Sequence, residues 1–137
     1  MKTEQKLEYI RYRLESARKT LDAAKVLAEN GFWNSAINRL YYSVFYSVNA
    51  LLFTSDISVK KHSTVKSQFA FHYIKTGKID KKFGQLLSDL FDWRQKGDYD
   101  NIFDYNKESV MPIIPAVEEM LDVIENVVKE ELKPNCL

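Results

Sequence analysis

The sequence has little of what secreted or strand-rich small domains depend on. Its 137 residues include one cysteine, four glycines and three prolines. The single Cys136 cannot form an internal disulfide, so we expect a protein of a reducing compartment and place it in the cytoplasm. The scarcity of glycine and proline disfavours an all-β fold, because the tight turns between strands depend on these residues.

The sequence also lacks an excess of one charge and a long apolar run. It has 20 Lys and Arg against 19 Asp and Glu, a net charge of +1. Proteins that bind duplex DNA usually carry a strong basic excess, so we do not expect duplex DNA as a partner. The charged N-terminus is not a signal peptide, and no segment is apolar for long enough to span a bilayer, so no membrane partner is expected.

Apolar side chains recur at helical spacing in five segments. This pattern predicts an all-α fold, an up-and-down bundle of four or five helices. We predict a single domain over residues 1–137, with a core from about 5 to 132. The first helix should end at Asn30-Gly31, since glycine favours helix ends. The second should run from about Trp33 to Phe53.

Polar side chains and glycines predict the other helix ends. Asn34 or Ser35 is suited to cap the second helix and Ser63 the third, because their short side chains accept backbone hydrogen bonds. Gly97 is predicted to end the fourth helix. The last helix is expected to begin near Ser109.

The second helix is apolar nearly all round, which predicts a central helix that packs on two sides. We expect one side to face its own domain. Tyr42, Tyr46, Ala50 and Phe53 lie on the other side, which we expect to face a second copy. The predicted homodimer interface consists of three residues of this helix and one of the fourth helix: Tyr42, Tyr46, Phe53 and Phe91.

Metal and cofactor chemistry finds no support in the motifs. Di-iron bundles need Glu-x-x-His pairs, and neither His62 nor His72 has a glutamate three residues before it. There is no CxxC, no HExxH and no glycine-rich phosphate loop. We therefore expect neither a metal nor a cofactor.

A polar cluster in the segment DWRQKGDYD is the most distinctive candidate site. Arg94 extends an apolar stripe, so it must reach solvent or find a partner such as Asp98. The cluster, with Tyr99 beside it, is either an exposed ion pair or a polar pocket that a phosphate can reach. Arg39, three residues before Tyr42, either stacks on tyrosine rings or pairs with an acid.

A second candidate is the short basic run before the third helix. Lys60, Lys61 and His62 lie next to a predicted helix N-terminus, where the backbone N–H groups favour anions. The run is therefore either an anion patch or a solvated loop. With Arg39 and Arg94 it completes the predicted set of nucleotide- or phosphate-binding residues.

The order of these motifs resembles the HEPN family, in its branch of small stand-alone prokaryotic proteins. The resemblance is carried by SAINRLYYSVF at 35–45, ALL at 50–52, KHS at 61–63, and Arg94 followed by Asp98-Tyr99. It covers about residues 5–130. It implies a helical bundle, usually dimeric, often paired with a minimal nucleotidyltransferase in toxin–antitoxin modules.

Many HEPN members are metal-independent ribonucleases whose motif is an arginine followed about four to six residues later by histidine. Here Arg94 matches the arginine, but Tyr99 and its neighbours replace the histidine. Tyrosine has a pKa near 10 and is a poor substitute as a general base. In some HEPN toxins a nearby tyrosine is modified with AMP by the partner, which makes Tyr99 a candidate by proximity.

Three hypotheses follow for the function. The first is a HEPN partner protein with no or only weak catalysis of its own, which forms homodimers and binds a nucleotidyltransferase or the phosphates of nucleotide or RNA near Arg94. The second is a divergent endoribonuclease in which Arg94 stabilises charge and Asp98, Tyr99 or a spatially close His62 transfers protons. The third is a structural helical adaptor.

Overall fold

The computed structural model describes residues 3–99 and 104–133, with Tyr99 described only in its backbone. Every regular element in these ranges is helical, so the predicted all-α class is confirmed. None of the described helices is long and apolar enough to cross a membrane. The elements are α1 (Thr3–Glu29), α2 (Trp33–Phe53), α3 (His62–Phe69), a π-helical turn (Ala70–Ile74), α4 (Lys81–Tyr99), α5 (Lys107–Val110) and α6 (Ile113–Leu132).

α2 is the central helix of the bundle. It contacts all five other α-helices, as its apolar circumference predicts. Its Leu40, Val44 and Leu51 are completely buried. Ala50 is completely buried too. Its predicted place on a face toward a second copy is therefore wrong, because the chain's own residues cover Ala50 completely.

α1 and α2 approach closely because small side chains line their contact. Ala17 and Ala24 of α1 and Ala36 of α2 are fully buried. The buried hydroxyl of Ser43 donates a hydrogen bond to the carbonyl of Ala17 at 2.8 Å. This bond satisfies the buried polar group inside an otherwise apolar contact.

The predicted caps of α2 and the predicted end of α4 are wrong, and Tyr105 contacts residues at both places. The N-cap of α2 is Phe32, without a side-chain cap. Asn34 instead donates to the carbonyl of Gly97 at 3.3 Å and accepts from the backbone N–H of Tyr105 at 2.8 Å. α4 continues through Gly97 to Tyr99, and a Cβ at Gly97 would lie 3.2 Å from the Tyr105 ring. Gly97 therefore permits a close approach and does not end the helix.

Two more helix starts differ from the sequence predictions. α3 begins two residues early, at His62, so Lys61 and not Ser63 occupies the cap position. The predicted start near Ser109 falls inside the short helix α5, where Asn106 and Ser109 form a capping box. The long helix α6 begins afterwards, and its Pro115 lies in the first turn, where the missing N–H has no partner to lose.

Candidate functional site

Arg94 lies at the centre of a cluster formed by α2, α3 and α4. Its side chain points into the bundle, and the residue is only 7% exposed. The guanidinium carbon is 5.1 Å from the centre of the Tyr41 ring, 5.7 Å from that of Tyr42 and 5.8 Å from that of Phe91. Aromatic faces attract a cation at such distances, so the rings stabilise a charge that burial would otherwise disfavour.

His62 reaches the same cluster from α3. Its Nδ1 atom is hydrogen-bonded to the hydroxyl of Tyr41. Its ring centre lies 4.6 Å from that of Phe45 and 6.0 Å from that of Phe91. Residues far apart in the sequence therefore place an imidazole and a guanidinium against the same rings.

The electrostatics of the cluster favour a neutral histidine beside a cation. Burial and then the charge of Arg94 lower the pKa of His62. Burial raises the pKa of the Tyr41 hydroxyl, which therefore keeps its proton at neutral pH. This arrangement lets Tyr41 donate to Nδ1 of a neutral imidazole, which puts the imidazole proton on Nε2. In the other tautomer Nδ1 donates to the Tyr41 oxygen and Nε2 is the acceptor, so the site holds one fixed cation and one group whose Nε2 donates or accepts a proton according to the tautomer.

A polar network fixes the other side of Arg94. Asp98 lies 3.9 Å from the Nη1 atom of Arg94, so the predicted pairing within α4 is present. The amide nitrogen of Asn38 donates to Asp98 at 2.8 Å. The side-chain oxygen of Asn38 accepts hydrogen bonds from the Nε and Nη2 atoms of Arg39, at 3.0 and 2.7 Å. Asn38 serves both because an amide has a donor and an acceptor side.

The structure separates some residues that the sequence grouped together. Arg39 lies over the Tyr42 ring at 5.1 Å, which is one of the two alternatives that its spacing left open. The ring of Tyr46 is instead contacted by Arg13 of α1, at 5.2 Å. Lys60 and Lys61 are exposed, while the His62 side chain turns inward to Tyr41. The side chain of Tyr99 lies outside the described part of the chain.

The residues predicted at a homodimer interface share one surface property. All four are partly exposed in the single chain, and they are Tyr42, Tyr46, Phe53 and Phe91. Phe53 packs on the ring of Tyr9 at 4.7 Å. They therefore stay candidates for an interface, which is still a prediction.

Three site residues, Tyr41, Asn38 and Arg13, were not among the predicted ones. Tyr41 belongs to the apolar face of α2 and is buried in the core. Its hydroxyl was the overlooked clue, because a buried tyrosine needs a hydrogen-bond partner, and His62 is that partner. The other two are recognisable only once α1, α2 and α4 are placed side by side.

The lowered pKa of His62 predicts a pH dependence of stability. Above its ordinary pKa of about 6.5 the imidazole is neutral in both states and imposes no penalty. As the pH falls below that value, the unfolded chain binds the proton more readily, so the free energy of unfolding declines. Between about pH 7.5 and about pH 5.5, the His62→Asn variant should lose less stability than the parent protein.

Urea denaturation at each pH measures this difference. The His72→Asn variant controls for the loss of a histidine as such, since His72 lies in the π-helical turn and hydrogen-bonds to Gln68. An equal loss of stability with falling pH in the parent and in His62→Asn would contradict the assigned environment of His62.

Comparison with known proteins decides the family. A family model described as the HEPN domain matches residues 10–127. The chain belongs to the HEPN family. This HEPN protein is 40% identical over 129 residues to a protein named UPF0332 protein from Thermotoga maritima, covering 94% of this chain and 97% of the relative. Two relatives from Methanocaldococcus jannaschii carry the name "Putative toxin". One is 34% identical over 125 residues, covering 91% of this chain and 92% of the relative. The other is 40% identical over 95 residues, covering 69% and 65%.

In this HEPN protein the histidine beside Arg94 is not the one that the family motif would place there. No histidine follows Arg94 in the sequence. His62 instead enters from the start of α3 and, like Arg94, contacts Tyr41 and Phe91. The site thus combines an arginine and a histidine by folding rather than by spacing within one helix.

Proposed function

We propose that this protein is a toxin-like HEPN module that acts as a homodimer with a minimal nucleotidyltransferase, and that its Arg94 site binds the phosphates of RNA or of a nucleotide. The observation that carries the proposal is the meeting of Arg94 and His62 on the rings of Tyr41 and Phe91. Membership in the HEPN family and the names of two relatives support the toxin-like role.

The chemistry of the site suits a phosphate. A guanidinium offers several N–H donors in one plane, which matches the oxygens of a phosphate. His62 can add the N–H of Nε2 when Tyr41 donates to Nδ1. Arg94 is nearly buried, so a phosphate would meet it at the edge of the aromatic cluster, where interactions between charges are stronger than in bulk water.

Fluorescence anisotropy with a labelled single-stranded RNA tests the proposal, and competition with unlabelled ATP distinguishes RNA from nucleotide. We expect binding that weakens with salt and that is about ten- to hundredfold weaker in Arg94→Ala. Binding that is unchanged in Arg94→Ala would contradict the proposal. Light scattering tests the homodimer, and a strict monomer at micromolar concentration would contradict that part alone.

A second candidate function, a metal-independent endoribonuclease, is favoured by the position of His62 beside Arg94. In the other tautomer of neutral His62, Nδ1 carries the proton and donates a hydrogen bond to the Tyr41 oxygen, which leaves Nε2 unprotonated. Nε2 can then take the proton of a ribose 2′-hydroxyl, whose oxygen bonds to the adjacent phosphorus. The bond from phosphorus to the 5′-oxygen breaks, and that oxygen takes a proton from solvent. The products are a 2′,3′-cyclic phosphate and a 5′-hydroxyl strand. Arg94 would stabilise the charge that develops on the phosphate oxygens.

Cleavage separates the two candidates. The endoribonuclease should cut the RNA, and His62→Asn should stop cutting while binding persists. A strand with 2′-deoxyribose should bind and stay intact in either case. Intact RNA after prolonged incubation with the parent protein would leave the binding function and exclude the endoribonuclease.

A further inference from the structure

A row of stacked arginine and tyrosine side chains leads away from the Arg94 site. Arg94 lies 5.7 Å from the Tyr42 ring, whose centre is 6.0 Å from that of Tyr46. Arg13 of α1 lies 5.2 Å from the Tyr46 ring and 5.8 Å from that of Tyr12. We call Tyr42, Tyr46, Arg13 and Tyr12 the Arg–Tyr row. From Arg94 of α4 the row leads over α2 to α1, and none of these distances is longer than 6.0 Å.

We infer that the Arg–Tyr row binds a single strand of RNA that extends from the Arg94 site toward Tyr12. This inference rests on the proposed function, because the row begins at the proposed phosphate site. Bases of an unpaired strand stack on aromatic rings and on guanidinium planes, while cations between them neutralise the phosphates. The row contains both kinds of group, three tyrosine rings and the guanidinium of Arg13, and Arg39 adds a cation beside Tyr42.

The charges on this face favour a polyanion over a second copy of the chain. Arg13 and Arg39 are partly exposed, and Lys66 lies over the Phe91 ring at 4.7 Å. Asp98 is the acid that the described contacts place at the Arg94 end. A two-fold interface lays one patch against the same patch, so it would bring cations toward cations at an electrostatic cost. A nucleic acid strand neutralises them instead. Tyr42 and Tyr46, which were predicted at the homodimer interface, are therefore assigned to RNA, and the proposed homodimer would form through another face.

The outer end of the row is built for contact rather than for packing. Tyr12 is 61% exposed, so it contributes little to the core, yet it lies against the guanidinium of Arg13. Arg13 is itself held by a hydrogen bond from its Nε atom to the hydroxyl of Tyr9 at 3.2 Å. A guanidinium fixed in this way loses little freedom when a base stacks on it.

The length of the row sets the size of the probe. The four steps from Arg94 to Tyr12 are each 5 to 6 Å long. Together they span roughly four to six nucleotides, given at least about 3.4 Å for each nucleotide of a stacked strand. A dinucleotide should therefore reach only the Arg94 site. A labelled RNA of roughly ten nucleotides should reach the whole row.

The experiment measures the affinity of the full chain for both probes by fluorescence anisotropy. We expect Tyr12→Ala and Arg13→Ala each to weaken binding of the longer RNA about five- to hundredfold, with the dinucleotide unaffected. The matched controls are Phe71→Ala, which removes an equally exposed aromatic residue of the π-helical turn, and Arg11→Ala, which removes an exposed arginine of α1. Neither control should change the affinity by more than about twofold.

Three results would overturn the inference, and a fourth would reject the proposed phosphate site alone. Equal effects of Arg11→Ala and Arg13→Ala would indicate general attraction to a basic surface. Conversion of a dimer to a monomer by Tyr12→Ala or Arg13→Ala would identify the row as a contact between copies. If Arg94→Ala abolished RNA binding while the row variants bound RNA as the parent does, the proposed function would stand and the row would be rejected. Strong effects in the row variants with none in Arg94→Ala would retain the row and reject the proposed phosphate site.

Discussion

The Arg94→Ala variant is expected to bind single-stranded RNA about ten- to hundredfold more weakly than the parent protein. A hydrogen bond to a charged group contributes about 1.5–3 kcal/mol, and this contribution is lost with the guanidinium. The variant also removes the cation that stacks on Tyr41, Tyr42 and Phe91. Anisotropy at fixed salt measures the affinity, and circular dichroism shows whether the helices persist.

Arg94→Lys is the informative companion to the alanine variant. Lysine keeps the charge but loses the planar group that stacks on rings and binds two oxygens at once. We expect it to recover only part of the affinity. Full recovery would show that charge alone matters, and an unchanged affinity in both variants would remove Arg94 from the binding site.

The Leu40→Ala variant is expected to lower the free energy of unfolding by about 2–5 kcal/mol, the range found for buried leucines. Leu40 lies in the middle of α2 and is completely buried, so its loss leaves a cavity where several helices meet. Stability on this scale is a large part of what a small domain possesses. Urea denaturation followed by circular dichroism measures the change.

Leu27→Ala is the matched control, because it is the same substitution at a partly exposed position of α1. Its loss of stability should be clearly smaller. Equal losses in the two variants would contradict the central position of α2, on which the assembly of the site from three helices depends.

The helices were predictable because their residues carry a local, repeated pattern. The apolar stripe of α2 and the glycine after α1 predicted the two boundaries at Trp33 and Phe53 and the helix end before Gly31, which has a positive φ. The caps were less predictable because side chains have competing tertiary partners. Asn34, a good cap in isolation, instead hydrogen-bonds to Gly97 near the end of α4 and to Tyr105 beyond that helix.

The candidate site was predictable only in part, because pairs within one helix leave a spacing pattern and pairs between helices do not. The contacts of Arg94 with Asp98 and of Arg39 with Tyr42 follow from spacings of four and three residues. The meeting of His62 with Tyr41 depends on where the loop before α3 leads. No local pattern encodes that distance.

The most direct test uses the two histidines of the sequence as reporters. Nuclear magnetic resonance of protein with isotope-labelled histidine resolves the imidazole signals of His62 and His72, and RNA is titrated into the sample at constant pH. We expect the His62 signals to shift in step with RNA binding, while those of His72 stay in place. Saturable RNA binding that leaves His62 unmoved would contradict a phosphate site formed by Arg94 and His62.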